Sequence, residues 1–432
     1  MYFSSVMAII LFFLLFTSFI FAQIKKVSFN LRAISALFIG LSFGLSVRLF
    51  FINHNSTIEL VAILNFIGNI YIKLLIMLII PLVFTSIAQS IINLRSSNGI
   101  YLTKIAVKTI IFLLLTTGVS AIIGSFIAKN FNLGMGLHIP GINIKQLHQS
   151  EGILSTILAM FPSNPIKAMV DNNIIAVVIF SVLIGIATVK LYKERGEIAQ
   201  PFIGFIDASF LVSKKMANMI ISLTPYGVMS LMAHMSLTQG WGVLQQMVTF
   251  MLAMYLAMFI VICLHIFLLL LVGVNPLSYF KKVYPALLVA FTTRSSLGTM
   301  PVTMNVLRSK LKLSESVSNF VPSIGSTIGM NACAGIYPAM LVVMTLIILG
   351  MPVTWKLIFF IAIINMIASL GVSGIPGTAF VAAGVVLSTL GLPYSIVALV
   401  QGIDPVIDMG RTATNINAVM TTAVLVDRST KV

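Results

Sequence analysis

Asp404, Asp408 and Arg411 stand in an otherwise apolar C-terminal third, in the stretch GIDPVIDMGRTATNINAVMTTAVL from Gly402 to Leu425. Between Glu315 and Asp427 there is no other acid, and the only other basic residue is Lys356. An ionised group at bilayer depth costs about 2.5–3.5 kcal/mol on insertion scales, so it faces a cavity or a partner. Asp408 and Arg411 are three apart, and Asn415 lies four beyond Arg411. On a helix these residues, with Thr412 beside them, share one face. That face offers a carboxylate, a planar cation, an amide and a hydroxyl. An amino acid carries the complement: an ammonium for Asp408 and a carboxylate for Arg411. The plainer alternative is an ion pair that only holds helices together.

The elements that must position this face are membrane helices. Of 432 residues, 59% are hydrophobic and 8% charged, which leaves too little polar surface for a soluble globular domain. The apolar runs are long and continuous, without the alternation of an outer-membrane barrel. The formal net charge of +16 does not imply nucleic-acid binding. Its lysines and arginines form short clusters beside apolar runs, such as Lys25, Lys26 and Arg32, or Lys190, Lys193 and Arg195. Cys263 and Cys333 both lie in apolar surroundings, and the five histidines have no ligand spacing, so neither a disulfide framework nor a metalloenzyme is expected.

Residues 2–22 read as a retained spanning helix rather than a cleaved leader, because no Lys or Arg precedes the apolar run. The basic turn at 25–32 then lies in the cytoplasm and the N-terminus outside. Further spans are predicted at 33–53, 60–92, 101–129, 174–192, 199–236 and 243–273, the long ones tilted or broken. Residues 130–173 are the most polar long segment and read as an external loop.

Past residue 275, Gly, Pro, Ser and Thr interrupt the apolar segments at mid-span. The first interruption is TTRSSLGTMP, Thr292–Pro301; the second is SLGVSGIPGT, Ser369–Thr378. Each is flanked by arms too short to cross, so each reads as a re-entrant helical hairpin lining a cavity. Each is followed by a helix with a polar centre: GSTIGMNACAG (325–335) and the Asp404–Asn415 stretch. Paired broken segments in corresponding places point to a secondary-transporter site near the midplane. Hairpin tips bring helix N-termini, whose free N–H groups suit a carboxylate. A membrane enzyme is disfavoured, since Ser295 and Ser296 beside Arg294 lack a nearby His, Lys or acid in sequence.

TTRSSLGTMPVTM, SLGVSGIPG and GIDPVIDMGRTATN resemble the hairpins and last helix of the dicarboxylate/amino acid:cation symporters, the glutamate-transporter fold. The resemblance runs from about residue 31 to 428. The extra N-terminal helix and GSTIGMNACAGIYPA are more similar to the bacterial L-cystine symporter branch. It implies an all-α polytopic fold with about nine spanning helices, two re-entrant hairpins and inverted-repeat organisation. The implied division is an extra helix at 1–24, scaffold helices at 31–100, a transport helix at 101–131, an external loop and scaffold helices at 132–240, and a transport domain at 241–432. That last domain would comprise a helix at 241–273, a hairpin at 278–306, a helix at 316–350, a hairpin at 353–390 and a helix at 394–426. A homotrimer in the bacterial inner membrane, with a cytoplasmic C-terminus and an elevator-like moving domain, is implied as well.

By position in the resembling motifs, Ser295 and Ser296 in the first tip and Gly374, Ile375, Pro376 and Gly377 in the second would hold substrate. Asp408 would take the α-ammonium, Asn415 the α-carboxylate and Arg411 a distal acidic group, with Thr412 assisting. Cys333 falls near that distal group, or is a small packing residue. The family's cation cages match less well: Gly329, Asn331 and Val419 replace an Asn and two Asp. Thr116, Thr117 and Asn331 keep neutral oxygens, and Thr327, Ser369, Leu370 and Val372 mark a site built from backbone carbonyls. Sodium at one surviving site, or a proton on Asp404 or Asp408, are both open as the coupling ion, and no cofactor is expected. L-Cystine is the substrate the branch implies, with glutamate, aspartate or another amino acid as the alternative.

Overall fold

The computed structural model describes residues 2–50, 58–93, 100–137, 161–171, 173–371, 374, 377 and 379–430. Val372, Ile375 and Pro376, named above, lie outside these, as does most of the predicted external loop. Every regular element among the described residues is helical.

The first helix, α1 (Tyr2–Ile24), precedes α2 (Phe29–Phe50), α3 (Ile58–Met77), α4 (Ile79–Asn93) and α5 (Ile100–Asn130). The predicted 60–92 span is thus two helices broken near Leu78. After the short α6 (Pro165–Val170) come α7 (Ile174–Glu194), α8 (Gly196–Ile221), α9 (Thr224–Gln239) and α10 (Trp241–Leu271). The 199–236 span is likewise a broken pair: α8 and α9 meet at 47°, just before Pro225.

Seven described helical spans are long and apolar enough to cross a membrane, and the bent α8–α9 pair makes an eighth. A ninth, α18 (Asp404–Thr430), has the length but not the apolarity. Its 27 residues extend about 40 Å, more than a hydrocarbon core. Almost all of α18 from Asp404 to Asp427 is buried by other helices, which is how it tolerates its polar face.

Both predicted interruptions are helical breaks. In the first, α11 (Pro276–Thr293) ends where Arg294 takes a left-handed conformation (φ 55°), and α12 (Ser296–Asn305) starts at once, capped by Ser295. Then α13 (Glu315–Gly325) stops; the chain crosses an irregular stretch containing Gly329 (φ +69°) and a wide π-type turn at Asn331–Ile336 before α14 (Tyr337–Ile348). In the second, α15 (Trp355–Ala368) and α16 (Ala379–Thr389) flank the tip, and α17 (Ser395–Gln401) precedes α18.

The core is layered by burial. The 18-residue window of the span ending in α14 is 89% buried, whereas that of α1 is 17% buried. Helix α14 is therefore the centre, and α1 lies on the lipid side. The stripe Phe12, Phe16 and Phe19 docks α1, with Phe12 against Phe43 and Phe16 against Tyr226. Helices α2 and α9 pack closest at Gly40 and Gly44; a Cβ on Gly40 would lie 2.5 Å from Met229 O, and one on Gly44 would meet Ser236 Oγ. At the far end of α18, Lys108 Nζ donates to Ser429 O (2.6 Å), placing a cation on the negative helix terminus. Asp427 accepts from Ser314 N (3.0 Å) and ties α18 to the start of α13.

Candidate functional site

Helix α18 presents Asp404, Asp408 and Arg411 on one stripe. Arg411 is fully buried, and its Nη2 donates to Asp404 Oδ1 and to Asp408 Oδ1, the latter at 3.1 Å. Its guanidinium lies 4.4 Å from the centre of the Tyr337 ring. Arg411 Nε and Nη1 are buried with no hydrogen-bond partner among the described residues. A buried cation normally has its donors satisfied, and a carboxylate oxygen is the charged acceptor that would complete an open guanidinium nitrogen. Sequence spacing had paired Arg411 with Asp408 alone; the structure adds Asp404 to the same cation.

The two hairpin tips meet over this cluster. Leu297 N, in the first turn of α12, donates to Gly374 O (3.0 Å), and Ser295 Oγ donates to the same oxygen (3.2 Å). Ser295 Oγ also accepts from Gly298 N (2.9 Å), and Ser296 is buried behind it. Gly377 N donates to Asp408 Oδ2 (3.2 Å), so the second tip rests on the carboxylate assigned to an ammonium. A Cβ on Gly374 would collide with Ser326 O and come within 2.9 Å of Ser296 Cβ. Gly374→Ala should therefore disfavour the closed tips by about 1–3 kcal/mol. Faster thiol labelling of Ser295→Cys in that background is the expected readout; unchanged labelling would contradict the close approach.

Asn415 faces the break before α14: its Oδ1 accepts from Ala332 N (2.8 Å), and its Nδ2 is 3.0 Å from Cys333 Sγ. Thr412 is buried on the same helix. Cys333 thus stands beside Asn415, whose amide already has protein partners. A buried arginine at the first tip, Arg294, was not assigned a role from sequence. It packs over Phe29 (5.1 Å) and donates to Pro405 O (3.3 Å).

Thr116 Oγ1 and Thr117 Oγ1 each lie 3.1 Å from Asn331 Oδ1. Both hydroxyls also have a helical carbonyl in reach, Phe112 O (2.9 Å) and Leu113 O (2.8 Å) respectively. If their protons go there, three neutral oxygens converge, a donor set fit for a hard monovalent cation though without a carboxylate. Thr327 and Ser369 stand at the second place: Gly329 N donates to Ser369 O (3.3 Å), and Thr327 Oγ1 donates to Ile324 O (3.1 Å). Leu370 is partly buried against apolar neighbours. A Cβ on Gly325 would lie 2.5 Å from Val419 Cγ2, so Val419 fills its position with packing.

His265 was not assigned a role from its spacing, yet it is buried at the centre of this network. Asn331 Nδ2 lies 3.0 Å from its Nε2, and Asn417 Nδ2 lies 3.0 Å from its Nδ1. Tyr279 of α11 continues the chain to Asn417 Oδ1 (3.2 Å) and Thr421 Oγ1 (3.3 Å). Such partners are 66 and 152 residues apart in sequence, beyond any local spacing rule.

Broken hairpins meeting tip to tip over a buried Arg–Asp cluster, inside a bundle of membrane-crossing helices, are the construction of a multi-pass secondary transporter. The chain belongs to the sodium:dicarboxylate symporter family, whose model matches residues 29–429. It is 37% identical over 418 residues to the L-cystine uptake protein TcyP of Bacillus cereus, covering 93% of this chain and 90% of that one. It is 34% identical over 423 residues to the protein of the same name from Bacillus licheniformis, covering 94% and 91%. A protein described as an uncharacterized symporter from Haemophilus influenzae is 36% identical over 379 residues, covering 84% and 86%. The protein is accordingly a transporter and not an enzyme.

Proposed function

We propose that the protein takes up L-cystine across the bacterial cytoplasmic membrane as a cation-coupled symporter. The observation that carries this reading is the pair of unpartnered buried nitrogens on Arg411 beside two carboxylates. Cystine carries an ammonium and a carboxylate at each end. One end would lie between Asp408 and Asn415, and the distal carboxylate would accept from Arg411 Nη1. Ser295, Ser296 and the Gly374–Gly377 tip would close over it, with Thr412 and Cys333 lining the site. The Bacillus relatives' printed function favours cystine over aspartate or glutamate, whose charges would satisfy the same groups.

Gly377 N already donates to Asp408 Oδ2, so the second tip covers the carboxylate assigned to the ammonium and would lift to admit substrate. It is the gate in this reading. Helices α5 and α10–α18, cross-linked by the His265 network, would move as one body against α2–α4 and α7–α9, and three chains would assemble. Sodium at Thr116, Thr117 and Asn331 is the coupling ion that the family name favours.

Uptake of labelled L-cystine into proteoliposomes tests the whole, under a sodium gradient and separately a proton gradient, with aspartate as competitor. Concentrative, saturable uptake driven by sodium and unaffected by aspartate is expected. Aspartate uptake without cystine uptake would replace the substrate, and non-concentrative flux would indicate a channel. Orientation has its own check. Lys25 and Lys26 should react with an impermeant amine reagent only from the cytoplasmic side, and labelling from outside would invert the topology.

A further inference from the structure

A groove of about 400 Å³ opens on the lipid side of the molecule, between the end of α1, the middle of α3 and the start of α9. Phe16, Ile20, Ile67, Ile70 and Leu74 line its apolar walls. At one end stands Gln23, whose Oε1 accepts from Arg32 Nη1 (2.9 Å) and from Tyr226 OH (3.0 Å). Lys25 and Lys26 are exposed on the turn just beyond. No acid occurs before Glu59, so Arg32, Lys25 and Lys26 form a cationic cluster without a carboxylate of their own segment.

We propose that this groove holds one anionic phospholipid, its acyl chain between α1 and α3 and its phosphate against Arg32 and the 25–26 turn. An apolar slot running to a basic end matches a lipid in both chemistry and direction, because basic residues beside a spanning helix lie at the headgroup level. The slot exists only because α1 is present: Phe16, Ile20 and Gln23 supply one wall. The back wall is Tyr71, whose hydroxyl pairs with Thr224 Oγ1 (2.9 Å). Gly227 allows its close approach, since a Cβ there would meet the Tyr71 ring. On the other side of Tyr71 lies a cavity of about 10 Å³, one water's worth, bordered by Arg294, Gln401 and Asp404. The lipid therefore braces the wall behind the Asp404 end of the transport site.

Native mass spectrometry of the purified full chain, exchanged into matched phosphatidylglycerol or phosphatidylcholine, tests this. Wild type should retain one phosphatidylglycerol per chain in preference to phosphatidylcholine. Arg32→Gln should reduce that preference about fivefold, the effect of one cation near a headgroup. Ile70→Trp fills the groove and should cut retention of both lipids, whereas Leu14→Trp, on the outward face of α1, should change neither. Ile20→Trp fills the same groove from the opposite wall and replaces Ile70→Trp should that variant not fold. Equal retention of the two lipids by wild type, or equal effects of the groove and outward-face variants, would overturn the proposal. So would cross-linking of Ile70→Cys between two chains, which would give the groove to a second copy.

Discussion

Arg411→Ala is expected to abolish L-cystine binding. The substitution removes the guanidinium that pairs with both Asp404 and Asp408, together with its open donors Nε and Nη1. Truncating one partner of a buried charged contact costs about 2–5 kcal/mol of binding, or more than thirtyfold in Kd. The same change leaves two carboxylates buried side by side, a folding cost of about 3–5 kcal/mol. Arg411→Lys separates these effects. An ammonium keeps the charge that neutralises the aspartates but cannot hold them and reach a substrate carboxylate with fixed, planar donors, so the variant should fold and still bind at least tenfold more weakly. Equilibrium binding of labelled cystine, with thermal unfolding in detergent as the control for folding, gives both numbers. Wild-type affinity in a folded Arg411→Lys protein would remove the role assigned to the guanidinium.

Asp408→Asn should be nearly as damaging for a different reason. The amide has the shape of the carboxylate, yet it carries one acceptor oxygen where two are in use. Oδ1 takes Arg411 Nη2 and Oδ2 takes Gly377 N, so the new NH2 group must face one of these donors. An ammonium loses its counter-charge at the same time. Charge-assisted hydrogen bonds contribute about 1.5–3 kcal/mol, so binding should weaken roughly ten- to hundredfold. Asp404→Asn discriminates the roles of the two acids. If Asp408→Asn binds normally while Asp404→Asn does not, the ammonium belongs to Asp404.

The candidate site was only partly legible in the sequence. Asp408 and Arg411 were readable because i, i+3 spacing puts charged groups on one helix face, and charges in an apolar segment need partners. The hairpins were readable from Gly, Ser and Pro at mid-span. Asp404 was missed as Arg411's partner although its signal existed: it stands seven residues before Arg411, two turns along the same stripe. The meeting of Gly374 with Leu297 and Ser295 had no such signal, because it joins groups nearly eighty residues apart on the carbonyl of a glycine. The wide turn at Asn331–Ile336 was also illegible; its form follows from backbone groups finding partners in Asn415 and the preceding turn.

The predicted long spans proved broken at Leu78 and between Ile221 and Thr224, each just before a proline. Apolar runs continue through both breaks, but Pro81 and Pro225, each in the first turn of the following helix, mark them, since neither can donate to the carbonyl four residues back. Arg294 gives the converse case. Its left-handed backbone ends α11 inside the interruption read from sequence, but its side chain settles on Phe29 and the carbonyl of Pro405, which no local spacing indicates.

The buried imidazole of His265 has a property that its distances alone do not express: polarity. A neutral ring has one hydrogen and one lone pair, so it cannot accept from the amides of Asn331 and Asn417 together. One amide must turn its oxygen inward. If that is Asn331, its NH2 group serves Thr116 and Thr117, and every donor in the row points from Tyr279 toward α5. If Asn331 keeps its oxygen on the threonines, as an ion there would require, the ring changes tautomer and Asn417 reverses. Every donor then points the other way, toward Tyr279 and Thr421 in the hairpin and last helix. The row behaves like a line of compass needles, with the same bonds in number and one of two headings, and the occupant at one end selects the heading read at the other.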